Sequence, residues 1–186
     1  NAFLIPHVIV VGAFLATFAI RERVSLSSLT RAWPFGIVGA IAFGYFVVQN
    51  VLSQQPSAVP RGAELVWALV WFGLAYGIVD ALFLSVFPVL AVHAAGVRDS
   101  SSGLGDLLER GVVALAASIA ITAAYHYGFA EYRGAALFAP VFGNAILTLS
   151  FLITRSPIAP IGAHVAMHVA GVLHGMETVV QLPPHY

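Results

Sequence analysis

The sequence contains no cysteine and no lysine, and its charged residues make up only 9% of 186 positions. Each absence removes a class of function. Without thiols there are no disulfides, no zinc thiolate sites and no Cys nucleophiles. Eight basic residues, all Arg, balance eight acidic ones to a formal net charge of zero, which excludes the basic footprint that a polynucleotide partner requires. Charge this sparse also lies far below the roughly one quarter found in soluble globular domains. Apolar residues fill the chain instead, at 60% of positions, with a mean hydropathy of +0.92.

That composition implies an all-α polytopic membrane bundle, because runs of about 20 apolar residues, enough to cross a ~30 Å hydrocarbon core, recur along the chain. About six crossings are predicted, at about residues 2 to 20, 34 to 52, 64 to 95, 111 to 130, 135 to 153 and 157 to 180. Little sequence remains outside them, so residues 1–186 read as a single transmembrane domain in contact with the lipid bilayer. The third stretch would be about 48 Å long as an α-helix, so it must tilt, kink or protrude. The first resembles a signal-peptide core, but Pro6 and His7 interrupt it and no basic segment precedes it, so it reads as a retained helix.

Arg content separates the loops. Arg21, Arg23 and Arg31 follow the first stretch, Arg98 and Arg110 the third, and Arg155 the fifth, whereas the alternate loops hold only Arg61 and Arg133. By the positive-inside rule the Arg-rich loops are cytoplasmic, with both termini outside, in what reads as a bacterial inner membrane. The polar connection Val97 to Arg110, rich in Ser and Gly, is expected to be a mobile linker.

An ionisable group inside the hydrocarbon region costs several kcal/mol unless it is paired or faces a cavity, which makes each one a functional candidate. Asp80 lies near the middle of the third stretch, and Gly73, Gly77 and Asp80 share one helical face. The small residues allow close helix approach there, so Asp80 is expected to point into the bundle, either as a hydrogen-bonded structural carboxyl or as a group used in chemistry. On the fourth stretch Ser118, Thr122 and His126 recur every four residues as a polar stripe. His126 lies between Tyr125 and Tyr127, where interfacial anchoring competes with a site role. The sixth stretch carries His164 and His168 at i and i+4, leaving one face together, and His174, rotated away. The H-x-x-x-H pair lacks the Glu of H-E-x-x-H, so zincin chemistry is not supported and no metal is assigned. His7, His93 and His185 sit at helix ends or in the tail and read as interfacial or solvated. Gln49, Asn50, Asn144 and Thr148 read as interhelical hydrogen-bonding groups.

Three elements in order carry a resemblance: G-I-V-D-A-L-F-L at Gly77 to Leu84, I-T-A-A-Y-H ending at His126, and S-P-I-A-P-I-G-A-H-V-A-M-H from Ser156 to His168. Together they resemble the motifs of the CPBP or Abi family of intramembrane proteins, which includes CAAX prenyl endopeptidases and bacteriocin-processing enzymes. The likeness covers residues 73–175, and the last phrase is its most specific part. Family enzymes use the first Glu of E-E-x-x-x-R and the His of F-x-x-x-H to activate water, with the His and Asn of H-x-x-x-N stabilising the oxyanion. The resemblance carries the two His positions onto His126 and His164. In the preferred match Val79 replaces the first Glu, Asp80 the second, Leu84 the Arg and His168 the Asn, and Val cannot accept a proton. Sliding the match by one residue puts Asp80 in the catalytic slot and Ser85 at the Arg.

These residues imply a CPBP-like protein that has lost protease chemistry and serves as a binding or scaffolding subunit among other membrane proteins. The enzyme alternative is an intramembrane endopeptidase with catalytic Asp80 and His126, and with His164 and His168 as oxyanion donors. A third reading places haem, a chlorophyll-type pigment or non-haem iron on the His residues, although no His spacing identifies a cofactor class and none is assigned. Helix counting at about 1.5 Å per residue sets His126 and His164 at different depths, with His126 nearer to His168 or His174.

Overall fold

The computed structural model describes residues 4–96 and 103–175, and all the regular structure among them is helical. Helix α1 spans Leu4–Arg21, α2 is the short Leu26–Thr30, and α3 spans Trp33–Leu52. Ala63–Gly96 forms one long helix, α4. Then come α5 (Leu104–Tyr127), two 3₁₀ turns (Ala130–Tyr132 and Gly134–Leu137), α6 (Phe138–Thr154) and α7 (Ile158–His174). Five segments are long and apolar enough to cross a membrane, namely α1, α3, α4, α5 and α6 together with the 3₁₀ turn before it (Gly134–Thr154), and α7 is a shorter apolar helix. The six expected stretches correspond to α1 and α3 to α7. The largest shift of a boundary is in α5, which starts at Leu104 rather than 111 and carries the charged Asp106, Glu109 and Arg110 in its first turns. His185, most of the Val97 to Arg110 linker and the expected helical residues 176–180 lie outside the described residues.

The bundle inverts the usual soluble pattern. Ile9, Val10, Val38, Ile41, Phe46, Val112 and Ile153 are exposed, while Asp80, Ser85, Ser118, Thr122, Asn144, Thr148, His164 and His168 are buried. A lipid-facing surface has this character, since tails match apolar side chains and polar groups find partners only inside. The chain is therefore an integral membrane helical bundle.

Small residues set its closest seam. Helices α3 and α7 run parallel: a Cβ added at Gly36 would meet Ser156 and Ile158, at Gly39 Thr154 and Ala159, and at Gly44 the Cα of Ala163 at 3.4 Å. A Cβ on Gly162 would lie 2.8 Å from Ala40. Gly36, Ala40 and Gly44 thus form a small-residue stripe at four-residue spacing, which lets two backbones approach as they do in membrane dimers. Arg155, in the left-handed region at φ 54°, turns the chain so that α7 begins directly after α6.

Helix α4 holds the central position, and its length is accommodated by two π-helical segments, Leu69–Tyr76 and Leu82–Val86. Pro88 lies just beyond the second. Lacking an N–H, it cannot bond the carbonyl of Leu84 four residues earlier, and that carbonyl instead accepts hydrogen bonds from Ser118 Oγ at 2.7 Å and Asn144 Nδ2 at 3.2 Å. Asn144 also donates to Thr122 Oγ1 at 2.7 Å and accepts from Ser85 Oγ at 2.7 Å. The hydroxyls of Ser118 and Thr148 are hydrogen-bonded to each other at 2.7 Å. This network ties α4, α5 and α6 together. It confirms the interhelical role read for Asn144 and Thr148 and explains the buried part of the Ser118 and Thr122 stripe. Gln49 and Asn50 depart from that role, because both are exposed where α3 nears its end, and Asn50 borders a cavity.

Candidate active site

The face of α4 defined by Gly73, Gly77 and Asp80 packs on α7, as the helical spacing implied. A Cβ at Gly73 would meet Val169 at 3.0 Å, and one at Gly77 would meet the Cα of Val165 at 3.3 Å. With both positions bare, α7 comes close enough for its imidazoles to reach Asp80. His164 Nε2 lies 3.5 Å from Asp80 Oδ2, and one ligating atom from each of Asp80, His164 and His168 falls within a 4.8 Å cluster. The imidazoles of His164 and His168 stack with centroids 4.9 Å apart and planes inclined by 7°, as the i, i+4 spacing demands. All three residues are buried, at 4%, 3% and 1% exposure.

The cluster forms one end of a cavity of about 440 Å³ that is also lined by Tyr76, Tyr125, His126 and Asn144. The four sequence-derived candidates, Asp80, His126, His164 and His168, therefore face the same space. The expected depth mismatch does not separate them, because the cavity itself spans the interval from Asp80 to Phe129 and Tyr132 beyond the end of α5. Val79 is absent from the lining. One residue of α-helix rotates a side chain by about 100°, so Asp80, and not Val79, holds the carboxylate position facing the histidines.

His126 has a defined tautomer. Its Nδ1–H donates to the carbonyl of Thr122 at 2.9 Å, which in the neutral ring leaves Nε2 as the acceptor. Tyr132 packs edge-on against the ring at 4.9 Å. Tyr76 and Tyr125 join their hydroxyls at 2.8 Å, so that one donates to the other and one O–H proton remains for the cavity. Tyr76 also meets His168 edge-on, with centroids 5.1 Å apart.

His7 corrects the sequence reading. It does not sit at a wet interface: its side chain is 7% exposed, and Nε2 lies 4.0 Å from Asp80 Oδ1. Its ring packs against Tyr76 and Tyr125 at 5.8 and 5.3 Å. Position near a helix end concealed this, because the end of α1 leans onto the bundle. His174 does face elsewhere, with Nε2 bonded to the carbonyl of Gln54 at 2.9 Å, and His93 bonds the carbonyl of Val89.

Asp80 Oδ1, His164 Nδ1 and both ring nitrogens of His168 are buried with no hydrogen-bonding partner in the protein. An unsatisfied buried polar group costs about 1–3 kcal/mol, a cost that a water or ligand in the adjoining cavity would offset. The volume suffices for several waters at roughly 30 Å³ each. Its far walls are apolar, with Phe46 of α3 and Phe138 and Phe142 of α6 both lining the space and exposed on the bundle surface. The cavity therefore reaches the bundle surface beside these residues of α3 and α6. No protein-family model, curated protein or solved structure matches this chain.

Proposed function

We propose that the chain is an intramembrane hydrolase, an endopeptidase in which a water held at Asp80 attacks a peptide carbonyl. The observation that carries this reading is the convergence of Asp80, His126, His164 and His168 on one cavity. Asp80 and the α7 imidazoles hold and polarise the water, and Nε2 of His126 takes its proton as the oxygen adds to the carbonyl carbon. The free hydroxyl proton of the Tyr76 and Tyr125 pair, with the imidazoles, supplies donors to the developing oxyanion. The C–N bond then breaks, and the proton held by His126 passes to the leaving amine. Substrate enters between α3 and α6, past Phe46 and Phe142, as an extended apolar segment from the bilayer.

The resemblance to the CPBP family fits this chemistry when Asp80 takes the carboxylate slot of the first motif. Its one-residue slide is favoured here because Asp80 lines the cavity and Val79 does not. In that frame the Arg-rich loops are cytoplasmic and both termini lie outside. A purely scaffolding subunit offers no reason to bury a carboxylate against two imidazoles with their remaining polar atoms unpartnered.

The test is a comparison of protein N-termini in membranes of cells producing wild type or Asp80→Asn at matched folded levels. New N-termini within or beside transmembrane segments are expected with wild type and are lost in Asp80→Asn and His126→Ala. Identical sets of N-termini in all three would overturn the reading.

A further inference from the structure

We infer that Asp80, His164 and His168 form a binding site for one divalent transition-metal cation of the zinc or ferrous type. The inference deepens the hydrolytic reading by naming what holds the water, but metal content is measured without any substrate, so each can fail alone.

Three observations support it. First, the ligand set is complete: two imidazoles and one carboxylate, with one donor atom from each inside a 4.8 Å cluster. Zinc and non-haem iron sites use such sets, at distances of about 2.0–2.2 Å from the metal. Those distances put neighbouring ligand atoms about 3.4 Å apart in a tetrahedron. Asp80 Oδ2 and His164 Nε2, 3.5 Å apart, already stand at that spacing, and the His168 nitrogen, within 4.8 Å of its neighbours, has to close by at most about 1.4 Å to reach the tetrahedral separation.

Second, His168 has no other work: both of its ring nitrogens are buried with no hydrogen-bonding partner in the protein, whereas His93, His126 and His174 each have a ring nitrogen bonded to a backbone carbonyl. Metal-ligating atoms look this way when only protein bonds are counted. Third, three protein ligands leave a coordination position, and the cluster borders a cavity large enough to fill it with water. The carboxylate offsets half of a divalent charge in a poorly solvating interior, and a bound hydroxide would offset the rest. Asp80 and the neighbouring His7 at 4.0 Å then resemble the carboxylate and histidine pairings that orient ligands elsewhere.

The experiment uses the purified full chain in detergent, stripped with a chelator, loaded with zinc sulfate and dialysed. Wild type is expected to retain about one zinc per chain, with Asp80→Asn and His168→Asn weakening binding about tenfold or more, and His93→Ala and His174→Ala unchanged. No retained zinc in wild type, or equal retention in folded Asp80→Asn and His168→Asn, overturns the site. If either variant unfolds, X-ray absorption of zinc-loaded wild type decides: two imidazoles with an oxygen ligand support the site, and a shell without imidazole pairs overturns it.

Discussion

Asp80 on α4 and His164 on α7 meet at 3.5 Å, and they meet because Gly77 lies one turn before Asp80 and carries no side chain to hold α7 away. Packing and chemistry are thus one feature: the glycine face brings α7 in, and the imidazoles on α7 give the buried carboxylate its neighbours. The π-helical segments on either side of Asp80 belong to the same design. Such widened turns recur at functional sites because they free or re-aim backbone groups, and here the second leaves the Leu84 carbonyl to Ser118 and Asn144.

Gly77→Leu should force α4 and α7 apart, since even a Cβ there would stand 3.3 Å from the Cα of Val165. A loss of about 1–3 kcal/mol is expected, the usual range for overpacking. Leu74→Ala, at a position 47% exposed to the surroundings of the bundle, should cost clearly less. Reversible unfolding in mixed micelles measures both, and equal losses would mean that the glycine face is not a contact.

Much of this arrangement is legible in the sequence, and the parts that are not have physical reasons. Hydropathy alone gives the six helices, because the bilayer fixes how long an apolar run must be. The spacing of Gly73, Gly77 and Asp80 correctly turns Asp80 inward. The preferred motif match sets Val79 in the slot of the first Glu, and a residue-by-residue match does not register the helical rotation that leaves Val79 out of the cavity lining. His7 reads as interfacial from the sequence since a His near a helix end is ordinary there, and only tertiary packing brings it against Asp80. Tyr76 and Tyr125 gave no separate signal among many aromatics. The stripe of Gly36, Ala40 and Gly44 emerges only from the packing, since nothing in the sequence says that its partner is α7.

Asn144 should behave as the keystone of the polar network. Asn144→Ala removes the bonds to Thr122, Ser118 and the Leu84 carbonyl and strands Ser85. A destabilisation of about 1–3 kcal/mol is expected from the buried groups left unpaired. Gln49→Ala, at an exposed position, should stay within about 0.5 kcal/mol. Thermal unfolding of the two variants side by side provides the comparison.

Orientation is testable directly because the chain has no cysteine. Single Cys probes at Ser27 and Glu109 should be protected from an impermeant thiol reagent in intact cells, and probes at Gln55 and Glu131 should react. These four side chains are exposed on the described residues. The opposite pattern would reverse the topology inferred from the Arg-rich loops.

Everything proposed for the cavity depends on Asp80 acting as a unit with the histidines of α7, and a double-mutant cycle reads that coupling most directly. Stability in mixed micelles is measured for wild type, Asp80→Asn, His164→Gln and the pair, with Asp80→Asn combined with His93→Gln as the distant control. Residues in one contact network couple by about 0.5–3 kcal/mol, and a value in that range is expected for Asp80 with His164 and none for Asp80 with His93. Additive losses for Asp80 and His164 would mean that the two groups do not share a site, and would contradict both the hydrolytic centre and the metal site built on them.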